Sequence, residues 1–133
     1  MDTSLFDKYN AELTEELDLS DFNMKDVQMR LPGIKHKWVA RLIQQKIELN
    51  KYKALKAEAI ANLSDSLRKE NPVLISDPAL AKQAEKHMTV KKISDKIEEC
   101  IILIDYLEKV EKVCSGTSYD IKNLIDIKKM EMA

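Results

Sequence analysis

Residues 90–114 read VKKISDKIEECIILIDYLEKVEKVC. Within them Val90, Ile93, Ile97, Cys100, Ile104, Leu107, Glu111 and Cys114 follow one another at steps of three and four for three and a half heptads. That step is the period of one helix face, whereas a half-buried strand alternates in twos. The spacing predicts a long helix that begins near His87 or Thr89. Ile101, Val110 and Val113 widen its apolar surface, and Leu103 falls outside the stripe. A helix that is apolar over more than one face must be covered from more than one side, so self-association is expected.

Downstream, Ser115-Gly116-Thr117 interrupts or loosens this helix. Gly116 is free to end it, and Thr117 with Asp120 has the form of a capping box. Residues 119–131 then read as a last amphipathic helix, with Ile121, Leu124, Ile125 and Lys128 on one side. Upstream, two prolines bound a loop, Glu70-Asn71-Pro72-Val73-Leu74-Ile75-Ser76-Asp77-Pro78. Pro78 suits the first turn of a short helix capped by Asp77, and Val73-Leu74-Ile75 suits a short extended piece.

From Ile34 to about Arg68 the chain holds no Pro or Gly. Trp38, Leu42, Gln45, Leu49, Tyr52, Lys56, Ala59 and Leu63 read as the seam of a coiled-coil-like helix, with Gln45 and Lys56 as polar intruders expected to fix a register or oligomer state. Pro32-Gly33 reads as a break before it. In the first residues Leu5, Phe6, Tyr9, Leu13 and Leu17 mark a short amphipathic helix, capped by Asp2, Thr3 or Ser4 and ending near Asp18-Leu19-Ser20-Asp21.

The expected fold class is therefore all-α. Two long amphipathic helices are joined by shorter N-terminal and C-terminal helices in a single helical domain, 1–133. Its parts are an acidic head (1–29), a basic long helix (30–69), a Pro-bounded loop and short helix (70–87), an apolar long helix (88–114) and a C-terminal helix (117–131). Composition agrees: among 133 residues there are only two Gly and three Pro, too few for the many tight turns of a β-sandwich.

A net charge of −1 hides a strong polarity. Residues 1–29 hold eight acids against Lys8 and Lys25, and residues 30–72 hold ten basic residues against Glu48, Glu58, Asp65 and Glu70. An acidic head beside a basic segment means a self-covering arm, a contact between subunits, or an exposed basic surface for a polyanion. On a helical wheel Lys35, Lys46 and Lys53 line up beside the seam within about 20°, from the step of about 100° per residue.

The two cysteines, Cys100 and Cys114, are expected as reduced, core-facing thiols, because fourteen residues of helix set them about 21 Å apart. His36 and His87 have no partners at metal-ligand spacing, and no phosphate loop or nucleophile motif is present. No catalytic residue, metal or cofactor is expected, and the chain does not read as an enzyme. The first residues lack the basic and apolar regions of a signal peptide, and Ile101-Ile102-Leu103-Ile104 is much too short to span a bilayer. A cytoplasmic protein without a membrane partner is the expectation.

Three stretches carry a resemblance. Leu31-Pro32-Gly33-Ile34-Lys35-His36-Lys37-Trp38, with Asn23-Met24 before it, is similar to the start of the long basic helix in the UvsY-like recombination mediators of T-even-type bacteriophages. Ile104-Asp105-Tyr106-Leu107-Glu108 resembles that family's later long helix. Ser118-Tyr119-Asp120-Ile121-Lys122-Asn123-Leu124-Ile125-Asp126 resembles its C-terminal pattern. The three occur in the family's order, and the likeness covers most of the chain.

The resemblance implies a homo-oligomeric ring of about six or seven subunits that binds single-stranded DNA in the cytoplasm of the phage's host. It would load a RecA-like phage recombinase onto strand coated with single-strand-binding protein. It points to Lys35, Lys37, Arg41, Lys46, Lys51, Lys53 and Lys56 for DNA, and to Tyr119, Ile121, Lys122, Leu124 and Ile125 for assembly. Ile101 and Ile104, on the widened apolar surface of the second long helix, join the assembly set. Where some relatives carry a dense basic cluster this chain reads Ala57-Glu58-Ala59-Ile60-Ala61-Asn62, which implies DNA contacts shifted toward Lys46, Lys51, Lys53 and Lys56 or weaker per subunit. Trp38 and Tyr52 lie in the seam and read as core rather than as platforms for bases. The competing reading is a helical oligomeric scaffold or adaptor that binds proteins only.

Overall fold

A computed structural model describes residues 1–70 and 75–132. Four helices follow in order: α1 (Ser4–Glu16), α2 (Met24–Glu70), α3 (Asp77–Glu85) and α4 (Met88–Glu131). No strand occurs among the described residues, and the all-α class is as expected. Residues 71–74 lie outside the described residues, so the extended piece expected at Val73-Leu74-Ile75 falls there except for Ile75.

Two of the expected breaks are absent. Pro32 and Gly33 lie inside α2, and Ser115-Gly116-Thr117 lies inside α4, so each long helix is continuous over 47 and 44 residues. The reason at Pro32 is the apolar face that runs through it. Val27, Leu31, Ile34, Trp38 and Leu42 are all buried at steps of three and four, while Pro32 itself is exposed. Proline removes one helical hydrogen bond, and the burial on either side outweighs that loss. In α4 the buried Thr117 does not cap. Its hydroxyl donates to the carbonyl of Val113 at 2.9 Å, inside a face that continues through Cys114 and Ile121.

A third correction concerns the face of α4. Leu103 is buried and Glu111 is exposed, the reverse of their expected places. The buried positions run Val90, Cys100, Leu103, Leu107, Val110, Cys114, Thr117 and Ile121. A step of three from Cys100 to Leu103 replaces the expected step of four to Ile104, and Val110 takes the place of Glu111, while Leu107 and Cys114 keep their expected positions.

Helix ends follow local chemistry. Thr3 is the N-cap of α1 and its side chain makes no capping bond; the Asp2 carboxylate just before it accepts from the backbone N–H of Ser4 at 2.9 Å. Ser76, not Asp77, is the N-cap of α3, its hydroxyl accepting from Ala79 N–H with Pro78 in the first turn. His87 caps α4 through Nδ1, which accepts from the N–H of Thr89 at 3.2 Å.

The chain divides into two compact units. The head unit joins Asp2–Gln44 with α4 from Leu103 onward, and the middle unit is Gln45–Ile102. In the head unit Tyr9 and Leu13 of α1, Ile34, Trp38 and Leu42 of α2, and Leu103, Leu107, Val110 and Cys114 of α4 make one core. Met24, Val27 and Ile121 make a second, smaller cluster. The middle unit buries Leu80, Ala84, Val90 and Cys100.

Candidate nucleic-acid interface

The basic residues named from sequence fall into two settings. In the head unit, α1 turns its carboxylates onto α2. Arg41 donates from Nη1 to Glu12 Oε2 at 2.6 Å and from Nη2 to Glu12 Oε1 at 3.2 Å. Lys37 Nζ donates to Glu12 Oε1 at 2.9 Å and to Glu16 Oε1 at 2.6 Å. The fit is set by matched spacing: Glu12 and Glu16 are four apart on α1, as are Lys37 and Arg41 on α2. Aromatic rings fix the cations further. The Arg41 guanidinium lies 4.6 Å from the Tyr9 ring centre and 4.7 Å from that of Trp38, and the two rings meet edge to face at 5.4 Å.

These contacts alter the acidity of their members. The bond from Arg41, with that from Lys37, holds the Glu12 carboxyl at about 2 against an ordinary 4.5. Burial by itself would lower Lys37, but its bonds to Glu16 and Glu12 outweigh that and raise it above its ordinary value. Burial also raises both thiols, Cys100 and Cys114, which are free and unpaired as disulfides.

Lys37 and Arg41 are thus already occupied within the chain. Of the three arrangements open to an acidic head and a basic segment, the self-covering arm is present at these two residues. Lys35, half-buried, borders a void of about 10 Å³ beside Trp38 and Cys114, which is room for one water at most. Trp38 is 2% exposed and is core, as its place in the seam indicates; Tyr52 is half-buried.

In the middle unit the setting differs. Lys46, Lys51 and Lys53 are exposed and Lys56 is half-buried in the seam. Glu48 is the one acid among residues 46–56, and it lies 3.7 Å from Lys51. Lys53 and Lys56 take part in no ion pair among the described residues. Lys46 and Lys53, seven apart, share one side of α2.

The residues named for assembly are likewise separated by the structure. Ile101 is half exposed in the middle unit. In the head unit Tyr119, Lys122, Leu124 and Ile125 are exposed, and Ile104 is half-buried against the core. Ile121 is only 3% exposed and packs with Met24 and Val27, so its side chain serves this chain's own core rather than a surface.

Three features escaped the reading of the sequence. Glu12 and Glu16 were legible only as part of a general acidic excess, although their spacing of four was a usable signal. Ile127 and Met130, 50% and 77% exposed, extend the apolar surface at the end of α4. Phe22 stands fully exposed on the turn between α1 and α2, where Asn23 accepts from Ser20 N–H at 2.7 Å and donates to the Asp18 carbonyl at 2.8 Å.

Among the described residues no three His, Cys, Asp or Glu side chains converge as a metal site, and no helix is long and apolar enough to cross a membrane. Fold and surface define a class: an all-helical protein whose distinctive chemistry is charge displayed along a long helix. No family model, curated protein or solved structure matches the chain.

Proposed function

We propose that this protein is a recombination mediator. It binds single-stranded DNA non-specifically as a homo-oligomer and promotes loading of a RecA-like phage recombinase onto strand coated with single-strand-binding protein. The observation that carries this reading is the run of lysines along α2 in the middle unit, Lys46, Lys51, Lys53 and Lys56, in a stretch of sequence whose one acid is Glu48. The three stretches of family resemblance supply the rest.

Lysine ammonium groups bind phosphates as point charges and read no bases. Such contacts suit a protein that must hold any sequence and then release it. Assembly multiplies the run, since each added subunit brings another four lysines to the same strand. The exposed Tyr119, Leu124 and Ile125 at the end of α4 are the surface for that assembly, in a protein acting in the host cytoplasm.

The test is the anisotropy of a fluorescein-labelled single-stranded oligonucleotide titrated at low and high salt. Binding that weakens steeply with salt is expected. Lys46→Ala, Lys53→Ala and Lys56→Ala together should weaken it and reduce the salt slope by about 2, at about 0.7 per phosphate released on a single strand. Absence of binding at low salt would overturn the reading in favour of a protein-only scaffold.

A further inference from the structure

The cluster at Lys37 and Arg41 has the form of an anion site that already holds an anion. Arg41 presents two guanidinium nitrogens to the two oxygens of Glu12, the bidentate geometry with which Arg also takes a phosphate. Lys37 bridges the carboxylates of Glu12 and Glu16. The rings of Tyr9 and Trp38 hold the guanidinium in position independently of the carboxylates. The site is not sealed, because the side chains of Lys37 and Glu12 keep 35% and 30% of their exposure. An open groove of about 390 Å³, bordered by Met29, Arg30, Ile34 and Lys37, leads up to it from solvent.

The core contacts and the charge contacts of α1 are made by different residues. Tyr9 and Leu13 anchor the helix in the core, whereas Glu12 and Glu16 touch α2 through their carboxylates. The cover therefore need not unfold for its charge to be exchanged. We infer that Lys37 and Arg41 form a latent phosphodiester site, which Glu12 and Glu16 fill from within the chain and so withhold from single-stranded DNA. This inference rests on the proposed function and deepens it.

The consequence is a limit on affinity. While the carboxylates are in place, a strand gains counterion release only from the lysines of the middle unit. With them removed, two more cations become available to phosphates. The cover is permanent in concentration terms, since α1 is tethered a few residues from α2 and never dilutes.

The experiment uses the full chain and the same labelled oligonucleotide. Glu12→Gln with Glu16→Gln should tighten binding at low salt by about tenfold and steepen the salt slope by about 1.4, two phosphates at about 0.7 each. Asp7→Asn with Glu15→Gln removes the same charge from α1 at positions that touch neither cation, and should change affinity less than threefold. Lys37→Ala with Arg41→Ala, added to the glutamine pair, should abolish the gain.

Equal gains from the two double substitutions, or a gain that survives loss of Lys37 and Arg41, would overturn the latent site. So would no gain at all from the glutamine pair with helicity by circular dichroism retained. If the glutamine pair lowers helicity, Glu12→Asp, which shortens one reach and keeps the charge, is read in its place. It should tighten binding by a smaller factor, and unchanged affinity overturns the inference. Failure of the unaltered protein to bind at low salt would count against the proposed function instead, and is read before any variant.

Discussion

One apolar seam runs along α2 from Trp38 to Leu63, but the two units bury it to different depths. In the head unit Trp38 and Leu42 are 2% and 7% exposed. In the middle unit Leu49, Tyr52, Ala59 and Leu63 occupy the equivalent face and are only half-buried. The difference lies in what each unit adds to its segments of α2 and α4. The head unit adds α1, which contributes Tyr9 and Leu13 to the core and the aromatic contacts of Tyr9 with Trp38 and Phe6 with Tyr106. The middle unit adds α3, nine residues long, which buries Leu80 and Ala84. Charge follows the same division. The cations nearest α1 are paired to it, whereas in the middle unit Lys53 and Lys56 join no ion pair among the described residues.

The largest effect should come from breaking the deeper core. Trp38→Ala should cost about 3–5 kcal/mol, and Leu49→Ala about 1–2 kcal/mol because its site is already part solvated. Urea unfolding followed by circular dichroism measures both, and equal losses would mean that the seam is buried uniformly. Next comes Pro32→Ala. The exposed ring sits inside a helix, so restoring the N–H should stabilise the protein by about 1–3 kcal/mol. A loss instead would show that the backbone restriction imposed by Pro32 is needed by the core around Leu31 and Ile34.

The acid limb of stability should report the charge contact of α1. Because the Glu12 carboxyl is held at about 2 in the folded protein against 4.5 ordinarily, its contribution is complete above about pH 4.5. It is lost as the pH falls through about 2. Thermal unfolding across that interval should show a shallower fall for Glu12→Gln than for the unaltered chain, and parallel curves would remove Glu12 from the acid response. The smallest effect is expected at Gly116. It is helical with no left-handed φ, and an added Cβ meets nothing within 4 Å, so Gly116→Ala should add about 0.5–1 kcal/mol.

Much of this was legible in the residues. The steps of three and four located both long helices and α1, and the scarcity of Gly and Pro excluded a sheet. The start of α4 at Met88 falls between the two positions suggested by His87 and Thr89. What misled was punctuation. Pro32-Gly33 and Ser115-Gly116-Thr117 are breaks by local propensity, and a face that stays buried on both sides carried each helix through. Leu103 was misplaced for a related reason, since a single step of three inside a long repeat cannot be told from its neighbour until a partner helix chooses between Leu103 and Ile104.

By itself the sequence determined the helical class, most of the inward-facing positions and the polarity of charge, because period and composition are properties of the chain alone. Only the tertiary structure decided which charges remain available. Lys37 and Lys53 are both lysines of one basic helix. Lys37 meets the carboxylates of a packed helix and Lys53 meets none among the described residues, since an ion pair depends on which residues distant in sequence come within about 3 Å.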